Sequence, residues 1–214
     1  RKAKIAAGKT LLYREPPHYI TLGKELPAKA LDEILTDHAE VFTELKEYYK
    51  QTSESETTKI SFYEDTYSLY NLYRFSHYYE EAYGKYIWLK SGASLVIEHT
   101  EAMTVIDVNT GSVLKKKKQE DTLFYQINRE AAKEIARQLR LRNISGIIMI
   151  DFINMKDTAQ KEKLLSLLDS ECKKDRVHCN VIDMTALNLV EMTRSKVRKP
   201  LHEQIRSCMK NNRS

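Results

Sequence analysis

Three oxygen-bearing side chains fall where strand ends would gather them. In Met103-Thr104-Val105-Ile106-Asp107-Val108-Asn109, the alternation of an extended strand puts Val105, Asp107 and Asn109 on one face, with Asp107 and Asn109 near its C-terminal end. Asp151 directly follows the apolar run Ile147-Ile148-Met149-Ile150, so it also sits at a strand end. If those strands are neighbours, the two carboxylates converge. Converging carboxylates repel unless a cation lies between them or one is protonated. Oxygen ligands of this kind suit Mg²⁺, which takes one or two carboxylates and keeps its remaining positions for water and substrate phosphates. Such an ion activates water and stabilises the charge that builds up in phosphodiester cleavage. The alternative is structural: Asp107 and Asp151 cap their strands and accept backbone N–H bonds.

The elements that must position these groups follow from the apolar pattern. Leu95-Val96-Ile97 and Thr104–Val108 read as adjacent strands. Residues 121–142 form the clearest helix, with Phe124, Ile127, Ala131, Ile135 and Leu139 on one stripe; Asn143 and Gly146 end it. The run 147–150 reads as a buried central strand. A second helix is expected from about Ala159 to Cys172 and another strand from Val177 to Ile182. Alternation of strand and helix from residue 94 onward argues for an α/β layered domain. Earlier in the chain, residues 1–22 read as short extended pieces broken at Pro16-Pro17. Residues 27–50 read as two helical parts, Ala28–Leu35 and His38–Tyr49. Ile60–Tyr63 reads as a short strand, and residues 66–84 as a tyrosine-rich helix whose rings pack half-buried.

Composition bounds the class. The chain has 214 residues, 42% of them apolar, and a mean hydropathy of −0.55, which describes a soluble globular protein. Its apolar runs fall far short of the roughly 20 residues of a membrane helix. Three cysteines (Cys172, Cys179 and Cys208) make no disulfide framework and suit reduced thiols in a cytosol. Arg1 opens the chain with no apolar leader, which reads as an internal fragment or a processed chain. Residues 1–90 carry 13 basic and 14 acidic side chains, whereas residues 91–214 carry 22 and 16. A basic C-terminal half suggests a polyanionic partner, most simply nucleic acid. Lys115, Lys116, Lys117 and Lys118 lie in an expected loop between the carboxylate strands, either as a phosphate clamp or as a solvated loop. Arg194, Lys196, Arg198 and Lys199 could extend a phosphate track. Arg137, Arg140 and Arg142 divide between nucleic-acid contact and ion pairing within their helix.

Three segments, in order, resemble the bacterial ribonuclease E/G family. Residues 92–109 (GASLVIEHTEAMTVIDVN) resemble its catalytic strand pair. Glu120-Asp-Thr together with residues 128–142 (NREAAKEIARQLRLR) resembles its long helix, and residues 143–155 (NISGIIMIDFINM) resemble the strand with its second metal-binding carboxylate. The resemblance implies a DNase I-like catalytic subdomain over 84–200, part of an RNase H-like subdomain over 1–83, and a basic tail over 201–214. It implies a cytoplasmic endoribonuclease that cuts single-stranded RNA to 5′-phosphate and 3′-hydroxyl ends. Asp107 and Asp151 match its ligands for Mg²⁺, with Mn²⁺ as an alternative, and Asn109 matches the polar residue that orients the site. RNA contacts are then expected from Lys115, Lys116, Lys117, Lys118, Arg140, Arg142, Arg198 and Lys199. Glu101 matches a signature position and is expected to make a structural hydrogen bond at its hairpin.

The sequence also departs from that family. No S1 domain or 5′-end sensor is recognisable. Cys208 stands without the second cysteine of the family's zinc-link motif, so structural zinc and a zinc-linked tetramer are not expected, and a homodimer stays open. Asn154 replaces a frequent acidic residue. The competing readings are a non-catalytic RNA-binding fragment or paralogue that needs absent domains, and an interaction piece whose basic face serves an acidic protein.

Overall fold

Pro17 sets the start of the first helix, because its carbonyl accepts the N–H groups of Ile20 and Thr21 at 3.0 and 3.2 Å. The structure is a computed structural model that describes residues 17–25, 31–51, 58–111 and 120–204. The chain divides into two compact units, one up to Ser76 and one from His77 onward.

In the first unit, α1 (His18–Glu25) is followed by β1 (Glu33–Thr36), α2 (Ala39–Lys50), β2 (Lys59–Phe62) and the short α3 (Leu69–Leu72). Strands β1 and β2 pair in parallel with Ile34 opposite Ile60, and α2 makes the crossover that parallel pairing requires. Ile20, Leu45 and Tyr49 form the buried centre, with Ile34, Val41, Tyr48 and Ile60 packed against it. Two expectations fail here. Tyr19-Ile20 is helical rather than extended, because Pro17 pre-sets a helix start and the turn buries Ile20. Glu33–Leu35 is strand rather than helix, because pairing with β2 some 26 residues later outweighs local helix propensity.

The tyrosine-rich segment is two helices, α3 and α4 (Phe75–Tyr83), because Arg74 adopts φ 51° between them. Its rings lie at the surface: Tyr67, Tyr70, Tyr73, Tyr78, Tyr79 and Tyr83 are 46–55% exposed and add little to either core.

The second unit is built on a six-stranded mixed sheet. Its strands are β3 (Tyr86–Trp88), β4 (Ser94–His99), β5 (Met103–Asn109), β6 (Gly146–Asp151), β7 (Cys179–Met184) and β8 (Leu189–Arg194), in the order β3-β4-β5-β6-β8-β7. Only β5 and β6 pair in parallel, joined through the long α5 (Glu120–Leu141); α6 (Thr158–Cys172) links β6 to the β7–β8 hairpin. Leu95, Ile97, Ile106, Val108, Ile148, Ile150, Val190 and Met192 bury one sheet face with Ile127, Ile135 and Leu139 of α5 and Leu164 and Leu168 of α6. Each such side chain contributes about 1.5–3 kcal/mol when fully buried. Among the described residues of this unit, no helix covers the other face in the same way. Strand β6 is therefore central in order but not buried on both faces: Ile148 and Ile150 are fully buried, while Ile147 is 50% exposed. No helix among the described residues is long and apolar enough to cross a membrane.

Two buried arginines tie the loops to this core. Arg194 donates from Nε to Asp175 Oδ2 at 2.9 Å and from Nη1 to Asn143 Oδ1 and the Ile144 carbonyl, both at 2.9 Å. It is 4% exposed, which removes it from the expected phosphate track. Arg142, 5% exposed, donates to Gln138 Oε1 at 2.6 Å and to the Glu81 carbonyl at 2.8 Å, fastening α4 to the end of α5. Glu81 also pairs with Arg137, which bridges to Glu134.

Candidate active site at the ends of two parallel strands

Strands β5 and β6 run side by side in register, with Asp107 opposite Asp151. The alternating burial of β5 sends Thr104, Ile106 and Val108 into the helix-covered core and leaves Val105, Asp107 and Asn109 on the open face. On β6 the same alternation buries Ile148 and Ile150 and leaves Asp151 outside. Neighbouring strands lie about 4.8 Å apart, so the two carboxylates project from adjacent backbone positions. Asn109 joins them: its Nδ2 donates to Asp107 Oδ2 at 2.7 Å.

Burial at the rim of the sheet raises the Asp151 carboxyl above the ordinary carboxylate range, and the Asp107 charge pushes it the same way. An acidic group whose ionisation is opposed by a neighbouring carboxylate forms a site a cation would relieve. The site opens into a cavity of about 360 Å³ lined by Asp107, Asn109, Asp151, Asn154, Leu187 and Asn188. Its polar donors are all oxygens or amides. Among the described residues no group of three or more His, Cys, Asp or Glu side chains could hold a metal. Carboxylate oxygens of this kind would suit a hard cation that takes one or two protein carboxylates, as Mg²⁺ does.

Several residues that the sequence reading did not single out hold this geometry. Asn128, fully buried on α5, donates from Nδ2 to the Ile153 carbonyl at 2.7 Å and accepts from the Ile153 N–H at Oδ1, 3.0 Å. Phe152 and Met155, 4% and 2% exposed, root the same segment in the core. The segment after Asp151 is thus fixed on both sides, and Asn154 reaches the cavity. Leu187 and Asn188 come from the β7–β8 turn, where Asn188 has φ 65° and its Oδ1 accepts from Lys161 Nζ at 2.6 Å. On the β5 side, Gly111 has φ 58°, and a Cβ there would sit 2.5 Å from the Gly92 carbonyl oxygen. Glu130 of α5 secures the turn before β4 by accepting from the N–H groups of Lys90 and Ser91 at 2.7 and 3.2 Å. None of these contacts has a local sequence signature.

The structure brings Asp107, Asn109 and Asp151 together and leaves other expected residues elsewhere. Arg142 sits at the end of α5, before β6 begins, and so at the opposite end of the sheet. Arg198 and Lys199 are exposed there too, their carbonyls accepting from Asn143 Nδ2 at 3.1 and 3.3 Å. Arg140 is exposed on the last turn of α5. Lys115, Lys116, Lys117, Lys118 and Cys208 lie outside the described residues. Glu101 is exposed, and the β4–β5 hairpin is closed by Thr100, whose Oγ1 donates to the Met103 carbonyl and accepts the Ala102 and Met103 N–H groups.

The chain is similar to known proteins over most of its length. Ribonuclease G of Haemophilus influenzae is 37% identical over 201 residues, 94% of this chain and 40% of that protein. Ribonuclease G of Escherichia coli is 38% identical over 171 residues, 80% of this chain and 35% of that protein. Ribonuclease E of a Nostoc species is 31% identical over 206 residues, 95% of this chain and 30% of that protein. The chain thus spans well under half the length of these relatives. Residues 1–197 match the sequence model of the ribonuclease E/G family, and the chain belongs to that family.

Proposed function

We propose that this chain carries the cleavage centre of an endoribonuclease that cuts single-stranded RNA and leaves 5′-phosphate and 3′-hydroxyl ends. The observation behind it is the in-register pair Asp107 and Asp151, on adjacent parallel strands and facing one open cavity. Their carboxylates would hold Mg²⁺, or Mn²⁺ in its place. When bound, that cation supplies positive charge beside the scissile phosphate and lowers the pKa of water. Asn109 donates to one carboxylate oxygen of Asp107 and so fixes the orientation of that carboxylate, which would help hold the cation. Asn154 and Asn188 offer amide groups to the sugar–phosphate chain along the cavity. Asn128 and Phe152 keep Asp151 and its following segment from drifting, so the carboxylates would hold the cation without reorganisation.

The DNase I-like reading of the six-stranded unit and the RNase H-like reading of the first belong to the same proposal, as do a cytoplasmic setting and self-association as a homodimer. The names of the relatives support RNA as substrate. Incubating a fluorescent 5′-monophosphorylated single-stranded RNA with the chain, in Mg²⁺ and in EDTA, tests it. Internal cuts in Mg²⁺ alone, lost in Asp107→Asn and Asp151→Asn with RNA binding retained, are the expected result. Undiminished cutting by Asp107→Asn overturns the assignment. Binding of RNA by wild type without any cut favours a non-catalytic RNA-binding role.

A further inference from the structure

We propose that a second cavity, at the end of the sheet remote from the carboxylates and bounded by Lys85, His99, Arg142 and His202, binds a phosphate group borne by a free nucleotide or by RNA. Strand register separates the two places. His99 closes β4 opposite Thr104, near the start of β5, and Asp107 lies three residues further along, about 10 Å at strand rise. The cavity measures about 470 Å³, with Ala82, Ile97 and Leu201 as its apolar wall and Tyr83 and Thr100 beside the basic groups. That volume and that mixture suit a mononucleotide-sized ligand.

The charge inside is unbalanced toward cation. Lys85 pairs with Glu98. Arg142 is buried, yet the partners of its guanidinium are neutral oxygens, the Gln138 amide and the Glu81 carbonyl. A buried guanidinium is ordinarily matched by a carboxylate. Those two bonds use Nε and Nη2, and Arg142 lines the cavity. Glu134 and Arg137 act on Arg142 from the α5 side with opposite signs. Next to it the rings of His99 and His202 stack, 3.8 Å between centroids and 16° between planes. His99 Nδ1 is engaged with Thr104 Oγ1 at 3.0 Å, which leaves Nε2 as its second polar atom. Burial, His202 and Arg142 all hold His99 down, to about 4, so it is neutral at pH 7. Among the described residues that line the cavity, Lys85 and Glu98 are the other charged side chains. A bound phosphate reverses the balance: it accepts from Arg142 and draws a proton onto the imidazole pair. Binding therefore strengthens as pH falls.

Ring-proton NMR of the intact chain in EDTA, at constant ionic strength, follows His99 and His202 through pH titrations. EDTA keeps the carboxylate site silent, so this result and the cleavage assay can fail separately. Inorganic phosphate and adenosine monophosphate are the probes, with adenosine and chloride as controls. The expected result is saturable movement of both rings and a His99 midpoint raised by about one unit or more, equivalent to at least tenfold tighter phosphate binding to the protonated form. Lys85→Gln is expected to weaken binding several-fold with the fold intact. If a hydroxyl-ended uridine trimer also moves the rings, the phosphate is that of the RNA backbone. If only the monoester moves them, it is a nucleotide or a chain end. Midpoints unmoved by phosphate, monophosphate and trimer alike, or moved as far by chloride, overturn the proposal.

Discussion

Asn128 and Ile153 are joined by two hydrogen bonds, the side-chain amide of one pairing with the backbone N–H and carbonyl of the other at 3.0 and 2.7 Å. The amide is fully buried, and the residue it grips lies two positions beyond Asp151. Replacing it with alanine strands a backbone donor and an acceptor in the core. Each buried unsatisfied group costs about 1–3 kcal/mol, so Asn128→Ala is expected to lose roughly 2–5 kcal/mol, read by urea unfolding. RNA cleavage at matched folded fraction should fall as well, because the Asp151 segment loses its tether. A variant with wild-type stability and cleavage removes Asn128 from the site's support.

Gly111 makes a sharper steric prediction. With φ 58° and the Gly92 carbonyl 2.5 Å from any added Cβ, alanine can fit only if the strand end after Asn109 moves. The strain alone is of order 1–3 kcal/mol. Gly111→Ala should lower the thermal midpoint by several degrees and weaken cleavage more than RNA binding. Gly146→Ala is the control: φ is 88° but nothing lies within 4 Å, so it carries backbone strain without the clash and should cost less.

How much of this was legible in the chain depends on the range of each interaction. Period-two alternation is local, so the shared face of Asp107 and Asn109 follows from seven consecutive residues. Asp151 follows from the apolar run before it. Their adjacency requires β5 and β6 to be neighbours, which no spacing states, although a 22-residue helix between two strands is compatible with a parallel crossover. Longer-range partnerships were opaque. Asn128 reads as one polar residue on a helix, and its partner lies 25 residues away. Arg142 and Arg194 read as surface cations beside other cations, yet both are buried, because Glu81, Asp175 and Asn143 meet them from distant segments and Gln138 meets Arg142 from one helical turn earlier. Strand β1 reads as helix until β2 supplies its hydrogen-bond partners.

Asp151 links stability to metal and pH. Its carboxyl is raised by burial and by Asp107, so the folded state holds its proton more tightly than the unfolded chain does. That contribution to stability is present below the unfolded carboxyl pKa, near 3.9, and is lost as pH rises through the folded value; above it, the ionised pair opposes folding. At pH 7.5 in EDTA, Asp107→Asn should therefore melt above wild type, because one of two repelling charges is gone. Adding Mg²⁺ should raise the wild-type midpoint and leave Asp107→Asn nearly unmoved. Equal Mg²⁺ shifts in both proteins, followed by differential scanning fluorimetry, would show that the cation binds elsewhere.

His99 carries the opposite sign. Its folded value, about 4, lies below the 6.5 of an unperturbed imidazole, so the unfolded chain binds the proton first. The stability linked to His99 is complete above pH 6.5 and declines as pH falls from 6.5 toward 4. Protonation there must place a charge beside Arg142 and the stacked His202 ring. His99→Gln keeps a polar side chain opposite Thr104 but cannot gain that charge. Its urea midpoint should vary less than wild type between pH 6.5 and 4.5, with the two curves converging above pH 7. The carboxylates are the same in both proteins, so the difference curve isolates the imidazole. Parallel curves across the window would mean that His99 is protonated as readily in the fold as in water, and that the cavity around Arg142 admits enough solvent to screen it.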